Sequence, residues 1–411
     1  MSDSHSPKPR LIFVWNYLEW GGAQIYFIGI MKLAKADWGI TVLLPEGSDS
    51  KLLGFLDTVG AQYEFLKGSF DLAPADSISR KIERRFAILH SEINVFKHLR
   101  KFDLRNSILH IEAAPWQSAT LLSSLSLLRG ANIFVTMHNA LPEASKWREL
   151  IWRVKIGFVS RLPNFRIFAS NQDTKDRFRR WVGQEFYDSI RVTYTTVNPA
   201  EIEAVGESTP DATSIRRQLG IPEKKFLVLC LGQFIDRKGR WIFLEAAKKV
   251  LEEHPDIKFA WITSSEITAS ERERIDGFTL GDSFRLINAS AVGNDRRAIL
   301  STYAAADVYA LPSYVEGLPI ALLEAMAMGV ASISTAIYAI PEAIKHEETG
   351  LLINPGRADE LADAIVRLYD DTELRQAIAK NGREFVIASF DEREASKIAI
   401  DEYGKALAAR R

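Results

Sequence analysis

Cysteine is nearly absent: the 411 residues hold one, Cys230. A single cysteine excludes an internal disulfide and a thiolate zinc cluster. It lies in the apolar run Phe226–Leu231, which predicts a buried strand position. No apolar run reaches the roughly 18–20 residues that a membrane-spanning helix needs. The opening residues MSDSHSPKPR are polar and lack the apolar core of a signal peptide, so the expected compartment is the cytoplasm. Charge of one sign is also missing overall, with 52 basic against 53 acidic residues. That balance gives no footprint of a generic nucleic-acid binder. Several motifs are absent as well. Neither G-x-G-x-x-G nor G-x-x-x-x-G-K-[ST] occurs at a first strand-to-helix turn, which argues against a nicotinamide dehydrogenase and a P-loop NTPase. The seven histidines form no HExxH or other tight metal array. G-x-S-x-G is missing, which argues against a serine hydrolase of the α/β type.

What is present is an alternation of short apolar runs with longer amphipathic ones. Candidate strands are Leu11–Asn16, Ile40–Pro45, Ser107–Ala113, Asn132–His138 and Phe165–Ser170. A polar stretch, Asn198–Lys225, then breaks the pattern with three prolines and two glycines, and reads as a linker with room for a short helix. A second series follows: Phe226–Gly232, Ile257–Thr263, Phe284–Asn288, Asp307–Pro312, Val330–Thr335 and Gly350–Pro355. Helices fit between them at Trp241–Glu253, Arg296–Ala305, Pro319–Met328 and Asp359–Tyr369, and Asp371–Arg411 reads as helical throughout. Strands separated by helices predict parallel sheets covered on both faces. The expectation is two doubly wound α/β domains, 1–197 and 226–388, joined by a linker at 198–225. A final helix at 389–411 is expected to return to the first domain.

The near-zero net charge conceals an asymmetry. Residues 1–200 carry about 26 basic and 19 acidic groups, roughly +7, and the remainder roughly −8. Two segments concentrate the excess, Ser79–Phe102 and Lys146–Arg161. Both mix Lys and Arg with Phe, Trp, Ile and Leu at near-helical spacing. One reading is a helix lying on an anionic membrane surface or facing an anionic acceptor. The other is an ordinary amphipathic helix burying its apolar face in its own domain.

Ligands of open α/β sheets bind beyond the carboxyl ends of the strands, so the strand-to-helix turns carry the search. In NYLEWGGAQIYF, Gly21 and Gly22 precede a helix, and adjacent glycines allow close backbone approach to a ligand. A plain tight turn is the alternative. In LGQFIDRKGRW, Arg237 and Lys238 sit at the mouth of the second domain's first strand, where cations can neutralise a phosphate leaving group. In LPSYVEGLPIALLEAMAMG, Pro319 suits a helix start and the amides from about Leu318 to Ala321 would point outward. Glu316 sits at the mouth. Glu324 falls on a helix of Ala, Leu, Ile and Met, where a carboxylate is costly to bury without a partner. A buried carboxylate there suits a ligand diol.

These residues carry a family resemblance. EGLPIALLEAMAMG, Glu316–Gly329, resembles the E-x7-E motif of retaining GT-B glycosyltransferases of family GT4. YAAADVYALPS before it, IPEAIKHEETGLLINPGRADELADAI after it, GQFIDRKG, SNQDTKDRF and WGGAQIY agree with the same family. The resemblance implies two Rossmann-like domains facing each other across a crevice, a nucleotide-sugar donor, and no metal or cofactor. It implies that Glu324 binds the donor ribose and Glu316 the transferred sugar. Gly232, Gln233, Arg237, Lys238, Gly317, Leu318, Pro319 and Ile320 would hold the donor, with Lys238 on the diphosphate. His138 would lie by the reacting carbon, and Gly21 and Gly22 would line the acceptor side. For His138 the residue-level alternative is a buried strand-end histidine satisfied by backbone. The implied acceptor is a glycan or lipid-linked sugar of cell-surface polysaccharide synthesis, met in the cytoplasm or at the cytoplasmic membrane face.

Three departures stand out. Gln233 replaces the family's usual Arg, so Arg237 or Arg240 would have to supply the missing charge. Thr263–Glu266 replaces a glycine-rich turn, and Tyr194–Asn198 departs from Pro-Asn-Gly-Val. A nucleotide-sugar epimerase or a phosphorylase on the same scaffold, and a non-catalytic binding member that has lost a phosphate ligand, are the competing readings.

Overall fold

The computed structural model describes residues 8–15, 22–67, 77–112, 123–124, 126–127, 129–138, 141, 144–208, 212–293 and 295–409. The chain divides into two compact units, Met1–Thr195 with Glu392–Arg411, and Thr196–Asp391.

The first unit is built on a seven-stranded sheet in the order β3-β2-β1-β4-β5-β6-β7. The strands are β1 Arg10–Val14, β2 Gly39–Pro45, β3 Gln62–Leu66, β4 Ser107–Glu112, β5 Asn132–Met137, β6 Phe165–Ala169 and β7 Arg191–Val192. Every pairing is parallel. The central strands are buried along almost their whole length because both faces are covered. One face packs Val95, Leu99, Trp152 and Ile156 from helices Ile78–Leu99 and Lys146–Val159. The other packs Phe27, Ile30, Met31, Ala399 and Tyr403 from helices Gly22–Ala34 and Glu392–Ala408. Those last two helices approach closely: a Cβ on Gly29 would fall 2.5 Å from the Glu392 side chain. Lys32 pairs with Glu392 at 3.3 Å alongside. Strands β3 and β7 escape sequence reading for a physical reason. Both lie at sheet edges, one half-exposed with Glu64 in its middle and the other two residues long.

The second unit carries a six-stranded parallel sheet in the order β10-β9-β8-β11-β12-β13. Its strands are β8 Leu227–Leu231, β9 Lys258–Thr263, β10 Phe284–Asn288, β11 Val308–Leu311, β12 Ala331–Thr335 and β13 Leu351–Ile353. Cys230 is fully buried in β8. In each sheet the strand order reverses beside the first strand, between β1 and β4 and between β8 and β11. The fold is α/β with two doubly wound, Rossmann-like sheets.

The segment read as a linker is folded into the second unit. It forms helices Pro199–Ser208 and Ala212–Gln218 and buries Ile202, Val205, Ile215, Leu219 and Ile221. Its polarity misleads because one charge is structural. Arg216 donates to the carbonyls of Ala305, Glu223 and Lys225 and pairs with Asp307 at 2.8 Å. The helical tail is likewise two helices, Thr372–Ser389 and Glu392–Ala408, separated by Phe390 and Asp391. Val197 pairs with Asp391 at that break, so the chain leaves the second unit beside the place where it entered.

Candidate active site

The turn after β8 and the turn after β11 flank the reversal point of the second sheet, and they are tied together. The Tyr314 amide donates to the Arg237 carbonyl at 2.8 Å. Gly239 has φ +76°, and a Cβ there would sit 1.9 Å from the Pro312 carbonyl oxygen. Only glycine can open helix Arg240–Glu253 at this contact, because both the left-handed backbone and the close approach exclude a side chain.

This junction delivers a charge pair. Lys238 Nζ lies 2.6 Å from Glu316 Oε1, and the two side chains are 13% and 6% exposed. Ser313 Oγ donates to the same carboxylate oxygen at 2.9 Å. Arg237 reaches the other oxygen at 3.5 Å while keeping 44% of its side chain in solvent. Two cations therefore converge on one buried carboxylate, and the outer one stays open to an incoming anion. Gln233 is exposed on the same turn.

Arg240 is committed elsewhere. It pairs with Asp236 and Glu271, donates to the Phe234 carbonyl at 2.8 Å and stacks over Trp241. Of the two arginines considered as substitutes for the missing charge, the one beside Glu316 is Arg237. Thr263 and Ser265, which replace a glycine-rich turn, have a structural task. Their hydroxyls both accept the Phe234 amide at 3.1 Å and so fix the turn that carries Gln233.

Helix Ile320–Ala327 begins immediately after Pro319, whose missing N–H costs nothing at a helix start. The first amides of a helix have no intrahelical acceptor and carry partial positive charge, which favours an anion. One turn on, Glu324 is 3% exposed, so its carboxylate is buried and does not face solvent. Its carboxylate pairs with Arg296 at 2.6 Å and accepts from the Tyr303 hydroxyl at 3.2 Å. Arg296 also pairs with Glu201 at 2.7 Å, and its second terminal nitrogen has no partner although buried. Burial disfavours the Arg296 charge, but Glu324 and Glu201 outweigh it and raise the guanidinium above its usual range. Sequence reasoning missed Arg296, Tyr303 and Glu201. No local signal marks them, because Glu201 lies 95 residues and Glu324 28 residues from Arg296.

In the first unit, Gly22 opens helix Gly22–Ala34 after β1, while Gly21 lies outside the described residues. His138 directly follows β5 and packs edge-on against Tyr26 at 4.8 Å and Phe27 at 5.5 Å. Its Nε2 is buried without a hydrogen-bond partner, so backbone does not satisfy that nitrogen. Burial lowers its pKa to about 3. His110, two residues before the end of β4, is held well below the usual imidazole range by burial and then by His138. Both rings are neutral in the folded state, whereas the unfolded chain takes up protons below about pH 6.5. The unfolded state then binds more protons, so stability is expected to fall as pH drops from about 6.5 towards 4. Melting temperature against pH checks this. A flat profile, or a slope unchanged in His138→Asn, would contradict it.

The comparisons with known proteins can be set against this geometry. A family model for glycosyl transferases group 1 matches residues 211–385. A D-inositol 3-phosphate glycosyltransferase of Corynebacterium urealyticum is 31% identical over 202 residues, covering 48% of this chain and 48% of that protein. The UDP-Gal:alpha-D-GlcNAc-diphosphoundecaprenol alpha-1,3-galactosyltransferase of Escherichia coli is 24% identical over 308 residues, 74% of this chain and 76% of that protein. The chain spans about half the length of the first curated relatives it matches. The crystal structure of Anabaena HepE in complex with UDP-glucose superposes with a TM-score of 0.76 at 17% identity, covering 96% of this chain and 99% of that one. The residues matched by the glycosyl transferases group 1 model hold the Lys238–Glu316 pair and Glu324, and the chain has the two-domain α/β fold of GT-B glycosyltransferases.

Proposed function

We propose that this protein is a retaining glycosyltransferase that moves a sugar from a nucleotide-diphosphate-sugar to a hydroxyl acceptor. The observation that carries the reading is the Lys238–Glu316 pair at the reversal point of the second sheet, beside the start of helix Ile320–Ala327. Lys238 and Arg237 face the place where a diphosphate gains charge as it leaves. Glu316 suits hydroxyls of the transferred sugar, and Glu324, already fixed by Arg296 and Tyr303, suits the ribose. In the reaction, the bond from the anomeric carbon to the diphosphate oxygen breaks. The acceptor oxygen bonds to that carbon on the same face, and its proton passes to the departing phosphate oxygen. In the first unit His138, neutral and with a free buried nitrogen, suits a hydrogen bond to a hydroxyl.

Thermal shift of the full chain against UDP, GDP, ADP and their sugars tests the donor. Ligand binding to the folded state alone raises the melting temperature, by about 2.7 kcal/mol of apparent stability at a hundred times Kd. A shift with one base, together with transfer of the labelled sugar, is expected. No shift with any nucleotide would sink the reading. A diphosphoundecaprenol-linked sugar, as named for the Escherichia coli relative, is the acceptor class we favour.

That acceptor would lie in a membrane, and two helices fit a membrane-facing role. Ile78, Ile82 and Phe86 are 77%, 50% and 68% exposed, and Trp147 and Val154 are 71% and 63% exposed. These stripes run along helices Ile78–Leu99 and Lys146–Val159, which pack on the same face of the first sheet. Lys81, Arg84 and Arg85 flank the first stripe, and Lys146, Arg148 and Arg153 the second. Apolar side chains bordered by cations suit an anionic bilayer surface. Among the described residues, no helix is long and apolar enough to cross a membrane. Co-flotation with phosphatidylglycerol vesicles, weakened by salt and by Phe86→Glu with Trp147→Glu, is the expected result. Equal flotation of wild type and double variant would remove the membrane role.

A further inference from the structure

Three buried polar atoms without partners gather at the carboxyl edge of the first sheet. They are the indole Nε1 of Trp15, the Oε2 of Glu112 and the Nε2 of His138. Trp15 follows β1, Glu112 ends β4 and His138 follows β5, and these strands are adjacent. In register, Val14 pairs with Ile111 and Glu112 with Thr136, so Trp15, Glu112 and His138 succeed one another along one edge. Neighbouring strands lie about 4.8 Å apart. Side chains alternate along a strand, so each of the three shares a face with the residue two positions earlier. Those residues are Phe13, His110 and Thr136, and His110 touches the other two: Phe13 lies 5.5 Å from His110, and the Thr136 hydroxyl lies 2.6 Å from His110 Nε2. Phe27 touches Trp15 at 5.6 Å and His138 at 5.5 Å from the same side.

One step inside the sheet the polar groups are satisfied. His110 uses one nitrogen on Thr136 and the other on the Tyr403 hydroxyl at 2.5 Å. At the edge Trp15 Nε1, Glu112 Oε2 and His138 Nε2 have no partner. Trp15 is 0% exposed and Glu112 6%, so water does not freely serve them. Buried polar atoms are nearly always paired, and a group of exceptions at a strand-order reversal points to a ligand. Among these three groups is no cation. Burial raises the Glu112 carboxyl well above its usual range, which favours its uncharged form, and burial likewise favours the neutral His138 ring. A phosphate would meet no countercharge from them, whereas a hydroxyl can both donate and accept and so satisfy an indole N–H, a carboxyl and an imidazole.

We propose that Trp15 and Glu112, beside His138, form a subsite that binds uncharged hydroxyls of a sugar or polyol acceptor. This rests on the reading that the protein transfers sugars, and it adds the residues and the chemistry of the acceptor side. Glu112 and Trp15 are then contact residues that set acceptor specificity.

The test uses the full chain and ligand-observed saturation-transfer NMR. The probes are N-acetylglucosamine, methyl α-glucoside and myo-inositol, with glucose 6-phosphate as the anionic counterpart. At least one neutral probe is expected to bind, and its binding to weaken about tenfold or more in Glu112→Met and in Trp15→Phe. Glucose 6-phosphate is expected to bind no better than the neutral probes. Melting temperature supplies a readout that a structural role would move the other way. Replacing an unsatisfied buried carboxyl by an apolar side chain of similar size should raise it, as for a group kept for function at a cost in stability. Failure of all neutral probes to bind, binding unchanged in both variants, tighter binding of glucose 6-phosphate, or a lower melting temperature in Glu112→Met would each overturn the proposal. The nucleotide thermal shift should survive in both variants. Its absence from the wild type would count against the transferase reading and not against this subsite.

Discussion

Lys238→Ala is expected to slow sugar transfer by about a hundredfold or more, mainly in kcat. The lysine is placed to meet charge that develops as the diphosphate leaves, so its loss falls on the transition state more than on the bound donor. The substitution also leaves Glu316 buried with Ser313 and the more distant Arg237 as its remaining partners. Lys238→Arg is not expected to restore the rate. A guanidinium is a planar fork on a longer reach, while this pocket holds a compact ammonium 2.6 Å from the carboxylate. Steady-state kinetics with the donor identified by thermal shift would check this. A fall of less than about tenfold in kcat/KM would remove Lys238 from the chemistry.

Arg296→Met is expected to destabilise the second unit by about 3–5 kcal/mol, the usual cost of stripping one partner from a buried ion pair. Arg296 answers two carboxylates, and among the described residues Glu324 is buried with only the Tyr303 hydroxyl besides. The double variant Arg296→Met with Glu324→Leu should recover much of the loss, because apolar replacements of a whole buried pair are often neutral. It should not recover nucleotide binding if Glu324 holds the ribose. Urea unfolding of the single and double variants separates the two effects. Equal stability of wild type and Arg296→Met would show the pair to be dispensable.

The competing reading of a non-catalytic member rested on Gln233 in place of an arginine. The structure moves that argument to Arg237, a second cation 3.5 Å from Glu316. Arg240 cannot play the part without abandoning Asp236, Glu271 and the Phe234 carbonyl.

Much of the fold was legible because both sheets are parallel and covered on both faces. Under those conditions a strand reads as an unbroken apolar run, as Leu227–Leu231 and Val308–Leu311 do. The edge strands β3 and β7 lack that double burial and left no such trace. The strand-to-helix turns were legible as well. Gly239 is demanded by its left-handed backbone and Pro319 suits a helix start, and Lys238 and Glu316 lie close to them in the sequence.

The sequence by itself determined most of the elements, the parallel character of the two sheets and the turns that carry the charged residues, since each depends on a few consecutive side chains and the backbone they permit. Tertiary structure alone decided the partnerships. It chose Arg296 and Glu201 for the Glu324 network, committed Arg240 to structure, turned the polar segment 198–225 into two packed helices, and left Trp15, Glu112 and His138 together without partners. Pairings between residues tens to hundreds of positions apart depend on how strands order themselves in a sheet. A buried charge takes whichever opposite charge the folded chain brings within about 3 Å, and local spacing carries no record of that choice.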